Sequence, residues 1–252
     1  MEALNARCDL LRSLHAPGAP LVLPNAWDAA SARAVVAAGF PVVATTSAGV
    51  ADALGYDDHE AAPAEEMLAA ARRIARAVDA PVTVDLESGY GLEPESLVDG
   101  LADVGAAGCN LEDTDHATET LGDAAERAER LARVRAAADA RGYRLVVNAR
   151  IDVFLLDRER PQAELVDDAV GRARAYLAAG ADCVYPIFLH EDEAIDTFVR
   201  AVRGPVNILA MGAPPIPRLA ELGVARVSYG ALLQRRATQW LAGFLRDEIG
   251  GT

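Results

Sequence analysis

Residues 81–112 read PVTVDLESGYGLEPESLVDGLADVGAAGCNLE, and this stretch contains one complete unit of the fold. Its start, Pro81–Asp85, is a short apolar run that predicts a buried strand, and Pro94–Val104 is an amphipathic stretch that predicts a helix. Gly105 follows at the position where a left-handed residue commonly ends a helix. A second apolar run, Gly108–Glu112, begins the next unit, so the stretch predicts a strand, a helix and a second strand in succession.

The same unit recurs along the chain. The predicted strands are eight apolar runs: Leu21–Pro24, Pro41–Thr45, Pro81–Asp85, Gly108–Glu112, Arg144–Arg150, Asp182–Pro186, Pro205–Ala210 and Ala225–Tyr229. The predicted helices lie near Asp28–Ala38, Pro63–Val78, Pro94–Val104, Asp123–Arg141, Gln162–Ala179, Glu191–Val202, Pro214–Leu222 and Ala231–Glu248, after an amphipathic N-terminal helix within Met1–Leu14. Eight units in 252 residues predict an α/β fold, a single (β/α)8 TIM barrel domain over residues 1–252. A doubly wound open sheet is the alternative, but it usually has fewer strands and a Gly-rich first turn that is missing here.

Composition excludes several classes of protein. The net charge of −14 predicts no binding of nucleic acid, and no apolar run approaches the roughly 18 residues of a membrane span. Three widely spaced cysteines without a CxxC pair predict no zinc site and a reducing, cytoplasmic location. All 24 basic residues are arginine. The absence of lysine excludes Schiff-base aldolase chemistry, covalent pyridoxal phosphate and a P-loop.

Acidic side chains cluster where two neighbouring strands end. Strand alternation predicts Asp85 and Glu87 on one face, and it predicts Asn110 and Glu112 together on the next strand. Active sites of barrels lie at these strand ends, and crowded carboxylates repel one another unless a cation lies among them. Oxygen ligands favour Mg²⁺, with Mn²⁺ possible. The alternative is that these acids cap helices or pair with arginines.

Other strand ends carry groups that could bind an anion. Arg150 presents a planar fork suited to carboxylate or phosphate, although a structural ion pair with a nearby acid is the alternative. Thr45–Gly49 predicts a loop whose small residues let backbone N–H groups approach an anion, and a long loop then extends to about Ala62. The four histidines are scattered along the chain, so no catalytic triad is predicted. We expect His15 on the surface, His59 and His116 on loops at the strand ends, and His190 at the start of a helix.

Four motifs, in order, resemble the isocitrate lyase/phosphoenolpyruvate mutase superfamily. Val84–Gly91 (VDLESGYG) resembles its D-x-D/E-x-G-Y-G signature, and Asn110–Asp113 (NLED) is similar to its N-I-E-D element. Thr46–Asp58 resembles the S-G-G-V…L-G-x-x-D stretch, and Asn148–Asp152 (NARID) resembles the N-A-R-T-D/E element. The order and spacing fit from about Leu21 to Tyr229, which is nearly the whole chain.

The resemblance implies a site and an assembly. It implies Asp85 as the direct ligand of Mg²⁺, with Glu87 and Glu112 holding metal-bound waters, and Asp58 beside metal and substrate. It implies Ser47, Ala48 and Gly49 binding the substrate carboxylate, and Arg150 its distal anion. Trp27 and Asn148, at other strand ends, complete the expected substrate-binding set, while Asp58, Glu112 and Arg150 form the expected catalytic set. It also implies exchange of the last helix between subunits in a homotetramer, a dimer of dimers.

Departures from the family narrow the expected reaction. The loop 114–122 lacks the Cys and Lys of the isocitrate and methylisocitrate lyases, and it also lacks the Lys-Thr-Asn-Ser-like sequence of phosphonate mutases. We therefore expect a Mg²⁺-dependent lyase or hydrolase that cleaves a C–C bond of a short 2-oxo (di)carboxylic acid through a metal-bound enolate, as in an oxaloacetate decarboxylase. The alternatives are a phosphoenolpyruvate/phosphonopyruvate mutase or hydrolase, and a barrel that binds oxo acids without turnover.

Overall fold

The computed structural model describes residues 1–250; the last two residues of the predicted domain lie outside that range. Its strands are β1 (Leu21–Leu23), β2 (Asn25–Ala26), β3 (Val43–Thr45), β4 (Val82–Asp85), β5 (Gly108–Glu112), β6 (Thr114–Asp115), β7 (Thr120–Leu121), β8 (Val146–Ile151), β9 (Cys183–Pro186), β10 (Asn207–Leu209) and β11 (Arg226–Ser228). Its helices are α1 (Glu2–Ser13), α2 (Ala29–Ala37), α3 (Ser47–Leu54), α4 (Ala64–Arg76), α5 (Pro94–Val104), α6 (Ala124–Ala140), α7 (Val153–Leu156), α8 (Gln162–Ala178), α9 (Asp192–Val202), α10 (Ile216–Glu221) and α11 (Leu232–Phe244), which continues as a π-helical segment, Leu245–Ile249. None of the helices in residues 1–250 combines the length and apolar character needed to span a membrane.

The strands form two parallel sheets, which confirms the predicted α/β fold. Six strands pair in the order β2-β3-β4-β5-β8-β9, and three pair in the order β1-β11-β10. β1 and β2 are consecutive and are separated only by Pro24, which has no N–H to donate to a ladder. A single parallel bridge, Val184 to Val206, joins β9 to the residue before β10. Helices cover the sheets, so the strands are buried on both faces.

Local sequence explains the helices that cover the sheets. In α4, Glu65 and Glu66 lie in the first turn and Arg73 and Arg76 in the last, so both charge signs complement the helix dipole. The buried face of α4 consists of Met67, Ala70, Ala71, Ile74 and Ala75. α5 begins at Pro94, whose missing N–H costs nothing at a helix start, and ends at Gly105 with φ +81°.

The N-terminal helix closes the amino ends of the strands, and this corrects one prediction. Asn5 Nδ2 in α1 donates to Gly142 O at 2.8 Å, and Arg12 Nε donates to Asp182 Oδ1 at 2.7 Å. The predicted surface position of His15 is therefore wrong: it is 6% exposed, and its Nδ1 lies 2.8 Å from Leu11 O. Burial, followed by the nearby Arg226 charge, lowers the pKa of His15 to about 4.

The largest local difference from the sequence prediction lies after β3. The predicted loop from Thr45 to about Ala62 begins with helix α3, which buries Val50 and Ala51 and ends at Gly55 with φ +89°. A second difference lies after β5, where β6 and β7 pair as an antiparallel hairpin. Both additions lie at the carboxyl ends of the parallel strands, which is where the polar strand ends converge.

Candidate functional site

A cavity of about 420 Å³ lies at the carboxyl ends of the strands. Its polar lining comes from many separate elements: Asn25, Thr46, Ser47, Asp58, His59, Asp85, Asn110, Arg150, Arg158, Tyr185, Ser228 and Arg235. Its apolar lining includes Leu155, Ile187, Phe188, Leu209 and Met211. The volume is at the small end of ordinary ligand pockets, so it suits a small polar molecule.

Asp85, the last residue of β4, is held in a fixed orientation at the cavity wall. The backbone N–H and the hydroxyl of Ser47 both donate to Asp85 Oδ2, at 3.1 and 2.9 Å. Asn110 Nδ2 approaches Oδ1 at 3.4 Å, and the Asp85 N–H donates to Thr45 Oγ1 at 2.8 Å. Pairing of β4 with β5 places Asp85 directly opposite Asn110. The neighbouring strands therefore aim this carboxylate into the cavity.

Glu87 lies beyond the end of β4 and outside the cavity lining. Its φ is +47°, so the strand alternation that predicts it beside Asp85 does not extend to this residue. Glu87 is 3% exposed. Tyr90 Oη donates to its Oε1 at 2.5 Å, and the Glu60 N–H donates to its Oε2 at 2.8 Å. Burial, opposed by the Tyr90 hydrogen bond, raises the pKa of Glu87 to about 7.

Glu112 and Arg150 form the centre of a buried ion network. They lie opposite one another in the β5–β8 ladder, and their side chains form an ion pair. Arg150 also donates from Nε to Asp152 Oδ1 at 2.6 Å and from Nη2 to Oδ2 at 3.1 Å. His116 Nε2 lies 2.7 Å from Glu112 Oε1. Burial raises the pKa of Glu112 although Arg150 opposes the rise, and the hydrogen bond to Glu112 raises the pKa of His116.

The predicted site residues divide into two groups. The cavity lining includes Ser47, Ala48, Asp58, Asp85 and Arg150. The other predicted residues lie outside that lining: Trp27, Glu87, Gly49, Glu112 and Asn148.

Two of the residues outside the lining have clear packing roles. A Cβ at Gly49 would lie 2.7 Å from Thr46 Cγ2 and 3.3 Å from Trp27 Cβ, so only glycine fits between them. Asn148 is fully buried beneath the cavity floor and donates to Asn110 Oδ1 at 2.9 Å. Both residues thus support neighbours that line the cavity.

Two further arginines, Arg158 and Arg235, line the cavity, and the sequence does not single them out. Arg158 donates from Nε to Leu155 O at 3.2 Å, and its guanidinium lies 4.2 Å from the centre of the Phe188 ring. Arg235 lies on the first turn of α11. Within residues 1–250, neither guanidinium has a carboxylate within 4.0 Å, in contrast to Arg150. Only their position after a strand could have pointed to them, and many surface arginines share that position.

The arrangement defines a class of protein: a parallel α/β enzyme scaffold with oxygen ligands and arginines at the carboxyl ends of its strands. The family model described as phosphoenolpyruvate phosphomutase matches residues 11–247. The chain therefore belongs to this family, which lies within the isocitrate lyase/phosphoenolpyruvate mutase superfamily, and the resemblance found in the four sequence motifs is confirmed.

Relatives in this superfamily have names that refer to different reactions. The 2-methylisocitrate lyase of Escherichia coli is 30% identical over 238 residues, which cover 86% of this chain and 78% of the relative. The oxaloacetate decarboxylase of Rhodopseudomonas palustris is 33% identical over 216 residues, covering 82% and 69% respectively. A solved structure from Burkholderia cenocepacia, provisionally described as a phosphonomutase, superposes with a TM-score of 0.91 at 43% identity, covering 96% of this chain and 100% of that one. Members of the family are lyases or mutases, so membership does not by itself select one reaction.

Proposed function

We propose that this chain is a divalent-metal-dependent lyase or hydrolase that cleaves a C–C bond of a short 2-oxo dicarboxylic acid. The observation that carries the proposal is the oriented Asp85 carboxylate, which faces a 420 Å³ cavity also lined by three arginines. We further propose that the two sheets close into one (β/α)8 barrel of a single domain. The continuity of β1 with β2 and the Val184–Val206 bridge support this closure.

The donor chemistry of the site fits Mg²⁺ or Mn²⁺. Asp85 would be the direct ligand, and Glu87 and Glu112 would hold metal-bound waters from behind it. The raised pKa values of Glu87 and Glu112 reflect burial beside other carboxylates, a cost that a divalent cation would relieve. When bound, the ion supplies a Lewis acid for the carboxylate and carbonyl oxygens of a 2-oxo acid and for the charge of its enolate.

The start of α3 can bind the substrate carboxylate next to the metal. The first N–H groups of a helix lack partners within the helix, and Thr46 gives no side-chain cap here. Ser47 N–H donates to Asp85, so it orients the ligand instead of the substrate. The N–H groups of Ala48 and Gly49 remain for an anion.

A second acid group on the substrate would reach the arginines across the cavity. Arg150 lines the cavity, but its guanidinium already binds Glu112 and Asp152. Arg158 and Arg235 have no such partners in residues 1–250, so we include them beside Arg150 in the distal-anion subsite. We propose that Asp58, which also lines the cavity, exchanges a proton with the substrate.

Oxalate provides the test of this mechanism. It is a planar dianion that can chelate through two oxygens as an enolate would, so we expect it to bind about a hundredfold more tightly than pyruvate. Binding should require the metal, because nearby carboxylates would otherwise repel the dianion. The measurement is calorimetric titration of oxalate and pyruvate with and without Mg²⁺. Weak oxalate binding, or binding that is independent of Mg²⁺, would contradict the enolate mechanism.

A substrate screen separates the remaining alternatives. Depletion of oxaloacetate and related 2-oxo diacids is the expected result, whereas depletion of phosphonopyruvate or phosphoenolpyruvate would indicate the mutase or hydrolase alternative. The provisional phosphonomutase description of the Burkholderia cenocepacia structure is what keeps that alternative open. Oxo-acid binding without turnover of any compound would indicate a non-catalytic barrel.

We also propose that α11 and its π-helical continuation dock on a second copy of the chain, within a tetramer. Large apolar side chains are exposed along this segment: Trp240 (68%), Leu241 (48%), Phe244 (42%), Leu245 (45%) and Ile249 (66%). The Trp240 and Phe244 rings stack with centroids 5.5 Å apart. In sedimentation we expect a particle larger than the 26.5 kDa chain, and we expect a Trp240→Glu, Phe244→Glu variant to dissociate. A wild-type monomer at micromolar concentration would contradict the docking.

A further inference from the structure

Two histidines on separate loops meet beside Glu87. His59 lies between α3 and α4, and His116 lies in the β6–β7 hairpin. Their rings are 5.6 Å apart, centroid to centroid, and one ligand atom from each of His59, Glu87 and His116 lies within 4.8 Å of the others. His116 Nε2 is 3.7 Å from Glu87 Oε2. The set combines two imidazoles with one carboxylate, unlike the oxygen ligands around Asp85.

We propose that His59, Glu87 and His116 form a second metal site, selective for a Zn²⁺-class transition ion. Imidazole suits Zn²⁺, Co²⁺ and Ni²⁺, whereas Mg²⁺ prefers oxygen ligands. Neighbouring ligand atoms of tetrahedral Zn²⁺, about 2.1 Å from the ion, are about 3.4 Å apart. The Glu87–His116 distance of 3.7 Å is close to that value. The ligand atoms lie within 4.8 Å of one another, so the exposed His59 side chain needs to approach by about 1.4 Å at most.

The surrounding hydrogen bonds hold two of the three ligands in place. Tyr90 Oη and the Glu60 N–H both donate to the Glu87 carboxylate, and the Glu60 bond holds the segment that carries the adjacent His59 close to it. Glu60 Oε1 accepts from Ser88 Oγ at 2.7 Å and from the Tyr90 N–H at 2.6 Å, which ties the two segments together. Such outer contacts orient ligands and raise metal affinity. A bound ion would thus join the segment before α4 to the hairpin at the cavity mouth.

The proposed transition-metal site shares Glu87 with the proposed Mg²⁺ site. This part of the inference therefore rests on the proposed function. It predicts that binding of either ion lowers the affinity for the other. His116 Nε2 also lies 2.7 Å from Glu112 Oε1, and binding of a transition ion to this nitrogen would break that hydrogen bond. Mg²⁺ affinity should therefore fall when the transition ion is bound, and the reverse should hold to the same extent.

Titration of the tag-free protein with ZnCl₂ tests the site directly. We expect one Zn²⁺ per chain, and a visible absorption spectrum of tetrahedral Co²⁺ when CoCl₂ is added instead. His59→Gly should weaken Zn²⁺ binding about tenfold or more, and glycine suits the φ of +68° at this position, so the fold should persist. His116→Gln should weaken binding similarly. His190→Gln, which removes an exposed histidine bonded to Gln162, is the matched control and should bind Zn²⁺ as the wild type does.

Asp85→Ala separates this inference from the proposed function. We expect it to lose Mg²⁺ binding and keep Zn²⁺ binding within a few-fold. Zn²⁺ binding that is lost in Asp85→Ala and unchanged in His59→Gly would overturn the inference, because the ion would then occupy the oxygen site. Failure of the wild type to bind Zn²⁺ would overturn it as well. If the wild type does not bind Mg²⁺ but binds Zn²⁺ in a way that depends on His59, only the proposed function is contradicted.

Discussion

Replacement of Asp85 by alanine should abolish Mg²⁺ binding and lower turnover by roughly a thousandfold, the equivalent of about 4 kcal/mol of transition-state stabilisation. Asp85 is the carboxylate that both lines the cavity and is oriented by Ser47. Asp85→Asn keeps the shape of the side chain but not its charge, and we expect the same loss. Glu87→Ala and Glu112→Ala should weaken Mg²⁺ binding without abolishing it. Calorimetric titration with MgCl₂ measures the affinity, and Asp79→Ala, at an exposed position, is the control.

The pH dependence of Mg²⁺ binding provides an independent check. Because burial raises the pKa of Glu87 to about 7, the ion must displace a proton from this carboxyl below that pH. Mg²⁺ affinity of the wild type should therefore fall as the pH is lowered from 8 to 6. Wild-type affinity in Asp85→Ala, or a Mg²⁺ affinity that is independent of pH over this range, would contradict the assignment of these ligands.

Replacement of Arg150 should affect both stability and turnover. Arg150→Ala leaves the buried Glu112 and Asp152 carboxylates without their shared cation, a change that commonly costs 3–5 kcal/mol. For a chain of this length, that corresponds to a fall in Tm of roughly 6–20 °C. Thermal unfolding followed by circular dichroism measures it. Arg160→Ala breaks an exposed ion pair with Asp157 and should change Tm very little.

Arg150→Lys distinguishes a role in turnover from a role in folding. Lysine keeps one positive charge but cannot reproduce the fork that binds both oxygens of Asp152 and also reaches Glu112. We expect kcat/KM on the identified substrate to fall by the equivalent of about 2–4 kcal/mol, nearly as much as in Arg150→Ala. Unchanged turnover in Arg150→Lys would show that Arg150 has only a structural role, and the distal-anion subsite would then consist of Arg158 and Arg235.

Regular elements with a strong local signal could be predicted from the sequence. The predicted helix Pro94–Val104 and the predicted strand Gly108–Glu112 have the bounds of α5 and β5. Each combines a periodic apolar pattern with a start or stop residue, and these signals act within a few residues. Helix α3 does not combine these signals. Its short run of small residues predicts a loop, and the packing of Trp27 against Gly49 is a tertiary contact that the local sequence does not show.

The site could be predicted only where strand geometry continues to its end. Asp85 lies at the last position of β4, where the parallel ladder places it opposite Asn110, so register alone determines that contact. Glu87 lies beyond the end of β4, and its side chain is held by contacts with Glu60 and Tyr90 that strand alternation does not predict. Arg158 and Arg235 are 77 residues apart in the chain and share the cavity only through the fold. No local sequence pattern predicts that two residues so far apart in the chain line the same cavity.

The β6–β7 hairpin has a consequence for how this scaffold can diverge. Its two strands pair only with each other. The hairpin joins the neighbouring structure at a few points, including the bond from Thr114 Oγ1 to Asp152 and the bond from Arg172 Nη1 to Gly122 O. Exchanges within 117–119 would therefore leave the parallel ladders and the His116 contact with Glu112 intact while remodelling the adjoining pocket lined by His59, His116 and Glu119. Selection could thus act on substrate preference nearly independently of folding, and the same separation makes this segment a natural target for loop grafting in enzyme engineering.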